Sequence, residues 1–416
     1  MDIPIVVVAY DRSESLKRLL GSLERAYYPS KTTLYISIDG GNNEDVKQVA
    51  DNFNWKYGEK KVIKHDINIG LRKHILSCGD LALQHDGIII LEDDLYVSPI
   101  FFEFVHEAFQ FYNNDDKIAG ISLYTHAYNE TAQLPFYPLT DKSDIFFLQL
   151  ASSWGQCWSK KQWERFSNWY LENSDKKPEP SLKMPSSILN WPESSWKKYF
   201  IRFMIENDLF FVYPRFSFST NFGDSGIHHM GDNHYQVEIV YEKRPFNFID
   251  FKSSHAKYDS YCEILPECLK AFINTFSDYD YCIDLYGNKP IEQITTEYIL
   301  SSRNSSNPIY SYARKMIPHE ANIISNITGN DIFFSHVKNI ATYTQGYTNK
   351  RVVYFHKLPR WHLKEKKAEE NKTATLTEKE ETLLRIFSKK IGKIIITPIL
   401  YAYQLYIYIK KSLKSY

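Results

Sequence analysis

The sequence predicts an α/β fold: a mostly parallel sheet flanked by helices. Short runs of β-branched and apolar residues alternate with amphipathic stretches through the first half of the chain. Those runs are apolar on both faces, as strands covered on both sides must be. Acidic residues stand just past three run ends, at Asp11, Asp39 and Glu92-Asp93-Asp94. In open parallel sheets that is where ligands collect.

Ile3 to Ala9 is nearly all apolar and reads as a buried strand. Ser13 then stands where it can cap a helix carrying Leu16, Leu19, Leu20 and Leu23 at helical spacing. A second strand, Thr33 to Ile38, ends in Asp39-Gly40-Gly41. Glu44 to Phe53 is helical, Lys61 to Lys64 is a third strand, and Asn68-Ile69-Gly70 opens a helix reaching about His85. The fourth strand, Gly87 to Leu91, runs directly into Glu92-Asp93-Asp94.

Beyond Leu95 the pattern is mixed. Phe101 to Tyr112 is an aromatic-rich helix and Ile118 to Leu123 a strand. Trp154, Trp158, Trp163 and Trp169 follow, and Trp154 is readable as core or as a platform for a sugar ring. Lys176 to Pro192 reads as a loop, Ser194 to Asn207 as a helix and Phe210 to Tyr213 as a strand. Ser219 to His229 reads as an ordered loop, and residues 250–350 carry apolar clusters without a motif. No internal repeat is visible.

The bulk composition narrows the classes. Fifty basic and fifty acidic residues cancel, which argues against a nucleic-acid partner. Hydrophobic residues at 43% and charged residues at 24% are those of a folded globular chain. Five scattered cysteines, with no C-x-x-C, point to a reducing, cytoplasmic setting. The start of the chain carries no basic stretch followed by an apolar core, so no signal peptide is read.

Lys364 to Thr382 is charged and poor in apolar residues, the composition of a linker. Ile391 to Ile409 is mostly apolar, interrupted by Lys393, Pro398 and Gln404, with lysines on both sides. That pattern suits a helix lying at an anionic membrane surface. A spanning helix needs about 20 apolar residues, which this run barely meets, and packing on the protein's own core is the remaining alternative.

A carboxylate cluster at the end of a buried strand offers hard oxygen ligands, suited to Mg²⁺ or Mn²⁺. Asp11 and Asp39 suit hydrogen bonds to a base or ribose, or else a helix cap and a turn. Arg72, at a helix start, is placed to meet phosphate or to form a surface ion pair.

Four segments together resemble the GT-A glycosyltransferases. They are Val7-Val8-Ala9-Tyr10-Asp11-Arg12, Ser37-Ile38-Asp39, Asn68-x-Gly70-Leu71-Arg72 and Glu92-Asp93-Asp94-Leu95-x-Val97-x-Pro99-x-Phe101-Phe102. The similarity is to N-acetylglucosaminyltransferase I and to bacterial family-2-like sugar transferases of surface polysaccharides. It covers about residues 3 to 232, with Ser152-Ser153-Trp154-Gly155 and Tyr213-Pro214-Arg215 as later matches.

That resemblance implies a GT-A sheet with a helical C-terminal extension and a nucleotide-diphosphate sugar as donor. Asp94, last in a DXD-type triplet, would bind Mn²⁺ or Mg²⁺, with Glu92 and Asp93 near ribose and donor sugar. Asp11, Arg12 and Asp39 would line the nucleotide pocket, Arg72 would meet phosphate, Trp154 would stack on a sugar, and His228 would approach the diphosphate. The family's catalytic base is an Asp in a Trp-Asp-x-x-Trp-like helix. Here the matching stretch is Trp196-Lys197-Lys198-Tyr199, a departure that leaves Glu193 and Asp224 as candidates for an inverting mechanism.

The implied acceptor is a saccharide or lipid-linked saccharide of O-antigen or capsule synthesis. Four regions follow: a transferase domain over 1–245, an accessory or acceptor-side region over 246–363, a linker over 364–384 and a membrane-associating tail over 385–416. The tail would hold the protein peripherally at the inner face of the cell membrane. Two other readings compete. A nucleotidyltransferase also uses strand-end carboxylates, but Tyr10-Asp11-Arg12-Ser13 is not its Gly-rich phosphate loop. A degenerate transferase fold serving as a sugar-binding or assembly module would explain Lys197 but not the intact Asp93-Asp94.

Overall fold

Valine and isoleucine hold a pleated, fully buried strand well because their branched side chains pack on both faces. β1 (Ile5–Ala9) is such a strand, buried at every residue. The computed structural model describes residues 1–179, 181–224 and 235–341, with Tyr354 and Lys357. After β1 come α1 (Ser13–Glu24), β2 (Leu34–Ile38), α2 (Glu44–Asn52), β3 (Lys60–Lys64) and α3 (Leu71–Gly79). Next are β4 (Gly87–Glu92), β5 (Leu95–Val97), α4 (Phe101–Tyr112) and β6 (Ile118–Ser122). A two-residue-per-strand hairpin, β7 (Tyr128–Asn129) and β8 (Leu134–Pro135), precedes β9 (Ile145–Leu148) and β10 (Gln156–Ser159). Then follow α5 (Lys160–Asn173), α6 (Ser186–Leu189), α7 (Trp196–Glu206), β11 (Phe210–Pro214), β12 (Ser219–Asn221) and β13 (Lys257–Tyr258). The last elements are α8 (Pro266–Lys270), β14 (Tyr281–Asp284), β15 (Tyr298–Ser301), β16 (Tyr310–Tyr312), α9 (His319–Ile324) and β17 (Ile332–His336).

Nine strands form one sheet in the order β13-β9-β11-β6-β10-β4-β1-β2-β3. β4, β1, β2 and β3 run parallel, as do the pairs β6–β11 and β9–β13. β10 enters antiparallel between β4 and β6, and β11 lies antiparallel to β9. The α/β class with a mostly parallel, helix-flanked sheet is therefore what the chain adopts. β14, β15, β17 and β16 make a separate four-stranded sheet. The chain divides into two units, Met1–Gly346 and Tyr347–Tyr416. Everything above belongs to the first. The charged stretch 364–384 and the tail 385–416 lie outside the described residues, among which no helix is long and apolar enough to cross a membrane.

Packing follows the apolar pattern. Ile5, Val7 and Ala9 share a core with Leu16, Leu19, Leu20 and Leu23 of α1. Burying each such side chain contributes about 1.5–3 kcal/mol. Trp158 and Trp163 are core: their rings lie 4.9 Å apart, and Trp158 stacks on Phe200 at 5.4 Å. Trp169 instead donates to Glu206 at 2.9 Å.

Three local details differ from the sequence reading. Ser13 is the first residue of α1 rather than its cap, and the cap position falls to Arg12, whose side chain is drawn elsewhere. The stretch 176–192 contains the short helix α6. Ser219–Asn221 is a strand, paired antiparallel with β5, so the segment after the acidic triplet is held from both sides.

Candidate active site

The parallel arrangement brings the ends of β1, β2 and β4 together, and their register puts Val8 opposite Ser37 and Glu92. A cavity of about 510 Å³ opens there. Its walls include Tyr10, Asp11, Arg12, Asp39, Asn68, Gly70, His74, Glu92, Asp93, Asp94, Trp154, Ser194, Asn221 and Tyr235. Of the residues singled out from the sequence, Asp11, Arg12, Asp39, Glu92, Asp93, Asp94 and Trp154 meet in this one space.

Asp39 is buried and ties two loops together. Its Oδ1 accepts from the N–H groups of Gly40 at 2.8 Å and Ile69 at 2.9 Å, and its Oδ2 accepts from Gly70 N–H at 3.0 Å. The approach demands glycine: a Cβ on Gly40 would stand 2.1 Å from the Ile67 carbonyl carbon. Gly70 adopts φ +81 at the start of α3, a conformation L side chains resist. Asn43, which the sequence reading passed over, closes the same corner by donating to the carbonyls of Tyr10 at 2.7 Å and Asp39 at 2.8 Å. Its signal was an Asn just before α2, the position of a helix cap, although its side chain serves β1 and β2 instead.

His74 forms part of the cavity wall and was also passed over. Its Nε2 shares a 2.8 Å hydrogen bond with Ser37 Oγ. Burial lowers its pKa to about 4, with Asp39 opposing that shift and His65 adding to it. The ring is therefore neutral at ordinary pH.

Arg12 sits over the acidic triplet. Its guanidinium pairs with Asp93 and, at 3.0 Å, with Asp94 Oδ2. Burial works against the guanidinium charge, but Asp93 and Asp94 outweigh it and hold the pKa above its ordinary value. One cation cannot compensate three carboxylates. Burial and the neighbouring Asp94 push Glu92 up to about 8, and burial pushes Asp93 up to about 6 against the pull of Arg12. Near neutral pH the group therefore keeps Glu92 protonated and retains an excess negative charge.

Asp94 Oδ1 is buried and accepts no hydrogen bond. Such an orphaned carboxylate oxygen is costly and fits a divalent cation. Among the described residues no set of three His, Cys, Asp or Glu side chains is arranged to hold a metal alone. Asp94 therefore fits the kind of site in which one or two carboxylates and the phosphates of a substrate share the ion.

The other candidates lie elsewhere. Arg72 turns from the cavity to α7, donating to the Tyr199 hydroxyl at 2.6 Å and standing 4.9 Å over its ring. Glu193 is 71% exposed and accepts from Lys198 at 2.7 Å and from the Tyr199 hydroxyl. Asp224 accepts from Ser15 at 2.7 Å and pairs with Arg18. Neither carboxylate contributes to the cavity wall. His228 lies outside the described residues. Ser194, Asn221 and Tyr235 join the wall from segments whose sequence carries no recognisable motif.

No family model matches the sequence, and no curated protein matches it. Solved structures do. S. aureus TarS 1–349 in complex with UDP-GlcNAc aligns at 13% identity over 54% of this chain and 60% of its own, with a TM-score of 0.36. The same protein in complex with UDP aligns at 14% identity over 53% of this chain, with a TM-score of 0.34. The mannosyltransferase PcManGT from Pyrobaculum calidifontis, in complex with GDP-Man and Mn²⁺, aligns at 9% identity over 40% of this chain and 47% of its own, with a TM-score of 0.29. In each case the chain spans less than two thirds of its neighbour's length.

Proposed function

We propose that the protein is an inverting, metal-dependent glycosyltransferase of the GT-A type that takes a nucleotide-diphosphate sugar as donor. The observation that carries this reading is the strand-end triplet: three carboxylates, one guanidinium and a bare Asp94 Oδ1 at the mouth of the parallel strands. Cleaving a sugar from a diphosphate builds negative charge on the leaving phosphate. Asp94, with Glu92 and Asp93 beside it, would hold Mg²⁺ or Mn²⁺, which would supply a Lewis acid for this charge.

The chain's own residues do the rest. Asp39 fixes the Asn68–Gly70 loop against β2, so the nucleotide wall is formed before a ligand arrives. Arg12 holds Asp93 and Asp94 in place and keeps the cluster from repelling itself apart. Asp11 and the neutral His74 offer hydrogen bonds to base and ribose, and Trp154 presents its ring to the sugar.

The reading extends to a saccharide or lipid-linked saccharide acceptor in bacterial O-antigen or capsule synthesis. Residues 1–245 then form the transferase, 246–363 the acceptor side and 364–384 a linker. The tail over 385–416 holds the protein peripherally at the inner face of the membrane through its lysine-flanked apolar run. Calorimetry with UDP-GlcNAc and GDP-mannose, with and without Mn²⁺, tests the donor site. Failure of every nucleotide sugar to bind removes this reading.

A further inference from the structure

An inverting transfer needs a carboxylate free to take the acceptor's proton, and the bonding around the cavity leaves few. Asp93 and Asp94 are engaged with Arg12, and Asp39 spends both oxygens on backbone N–H groups. Glu193 is tied to Lys198 and Tyr199 at the surface, and Asp224 is held by Ser15 and Arg18. Asp11 and Glu92 belong to the strand ends, Asp11 just past β1 and Glu92 closing β4 beside Asp94.

Glu130, in the turn between β7 and β8, is different. Its side chain is 26% exposed, and among the described residues nothing donates a hydrogen bond to it. Its nearest cation is Lys197 Nζ at 3.9 Å, an ion pair too long to be a hydrogen bond. Lys197 in turn stands 5.2 Å over the Trp154 ring, a wall of the cavity, and 4.9 Å over the Trp191 ring. An ammonium between two indoles leads from the donor cavity to a carboxylate with unused lone pairs. A charged pair beside two indoles offers a donor and an acceptor to the hydroxyls of a sugar ring.

We propose that Trp154, Trp191, Lys197 and Glu130 form the acceptor subsite and that Glu130 is the general base. This rests on the transferase reading above. The acceptor hydroxyl oxygen forms a bond to the donor's anomeric carbon while the bond from that carbon to the diphosphate oxygen breaks. The electron pair leaves with the nucleoside diphosphate, and the hydroxyl proton passes to the Glu130 carboxylate. Lys197 holds Glu130 in place. It is a positioning residue.

The test uses the full chain with Mn²⁺ and either UDP-GlcNAc or GDP-mannose, water serving as acceptor. Donor binding is read by calorimetry and nucleoside diphosphate release by a coupled assay. Glu130→Gln binds the donor as the wild type does and loses release by about 10²–10⁴-fold. Azide, a nucleophile that needs no base, restores turnover in this variant, whereas Glu130→Asp keeps a carboxylate and falls between the two. Wild-type release by Glu130→Gln, loss of its donor binding, or no rescue by azide overturns the proposal and leaves the donor site standing. A wild type that binds donor but releases no diphosphate overturns it as well. A wild type that binds no donor removes both readings together.

Discussion

The strand-end cavity and the cluster that adjoins it at Trp154 are built on opposite plans. In the first, the ends of β1, β2 and β4 are locked by short hydrogen bonds and ion pairs: Asp39 to three N–H groups, Asn43 to two carbonyls, and Arg12 to two carboxylates. Beyond the wall residue Trp154, outside the lining of the cavity, Trp191, Lys197 and Glu130 touch it and one another through ring faces and one loose ion pair. The first side is fixed by the sheet before anything binds. The second is held by no hydrogen bond to Glu130 among the described residues, only by the long ion pair from Lys197. Rigidity on one side and spare bonding capacity on the other are what a site needs when it holds one substrate still and receives another.

Substitutions on the locked side therefore cost stability, while those on the loose side cost turnover. The largest effect falls on Arg12. Arg12→Met leaves the buried Asp93 and the half-buried Asp94 without their cation, at a cost of about 3–5 kcal/mol by urea unfolding at neutral pH. Arg12 lowers the pKa values of Asp93 and Glu92, so without it both rise further, and the variant regains stability as pH falls and these two carboxyls protonate. A loss that persists unchanged down to pH 4 contradicts this.

His74 comes next. Its folded pKa of about 4 lies below the ordinary 6.5, so the unfolded chain binds the extra proton between those values. Stability contributed by the neutral ring is complete above pH 6.5 and is lost as pH falls towards 4, by about 3 kcal/mol. His74→Gln flattens that limb of the stability–pH curve, and an unchanged limb assigns it to another group. The smallest effect is on the loose side. Lys197→Met keeps the packing of the side-chain stem and changes unfolding free energy by about 1 kcal/mol or less. A larger loss would show that Lys197 is structural and erase the contrast between the two sides.

The same contrast decides what was legible in the sequence. Continuous β-branched runs such as Ile5–Ala9 announce buried parallel strands, and carboxylates at their ends announce the crevice, because both signals are local. Glu92-Asp93-Asp94, Asp39 and Asp11 were found that way. Arg72 marks where that logic stops: a helix start points an arginine at a phosphate only if no partner stands nearer, and here it donates to Tyr199, 127 positions away in sequence. Trp154 could not be told from the core residues Trp158 and Trp163, since all three share one aromatic segment. Glu130 left no trace, because its place beside Lys197 is made by a two-residue hairpin and a distant helix. Local pattern reports the strands, and long-range packing assigns the base.

The most direct test of the donor site is calorimetric titration of UDP-GlcNAc and GDP-mannose into wild type and Asp94→Asn, each with Mn²⁺ and with EDTA. A site completed by Asp94 and the donor's phosphates gives binding in wild type with Mn²⁺, and weak or no binding with EDTA or in Asp94→Asn. Donor binding equal in both proteins and indifferent to Mn²⁺ would contradict the assignment of the cation to Asp94.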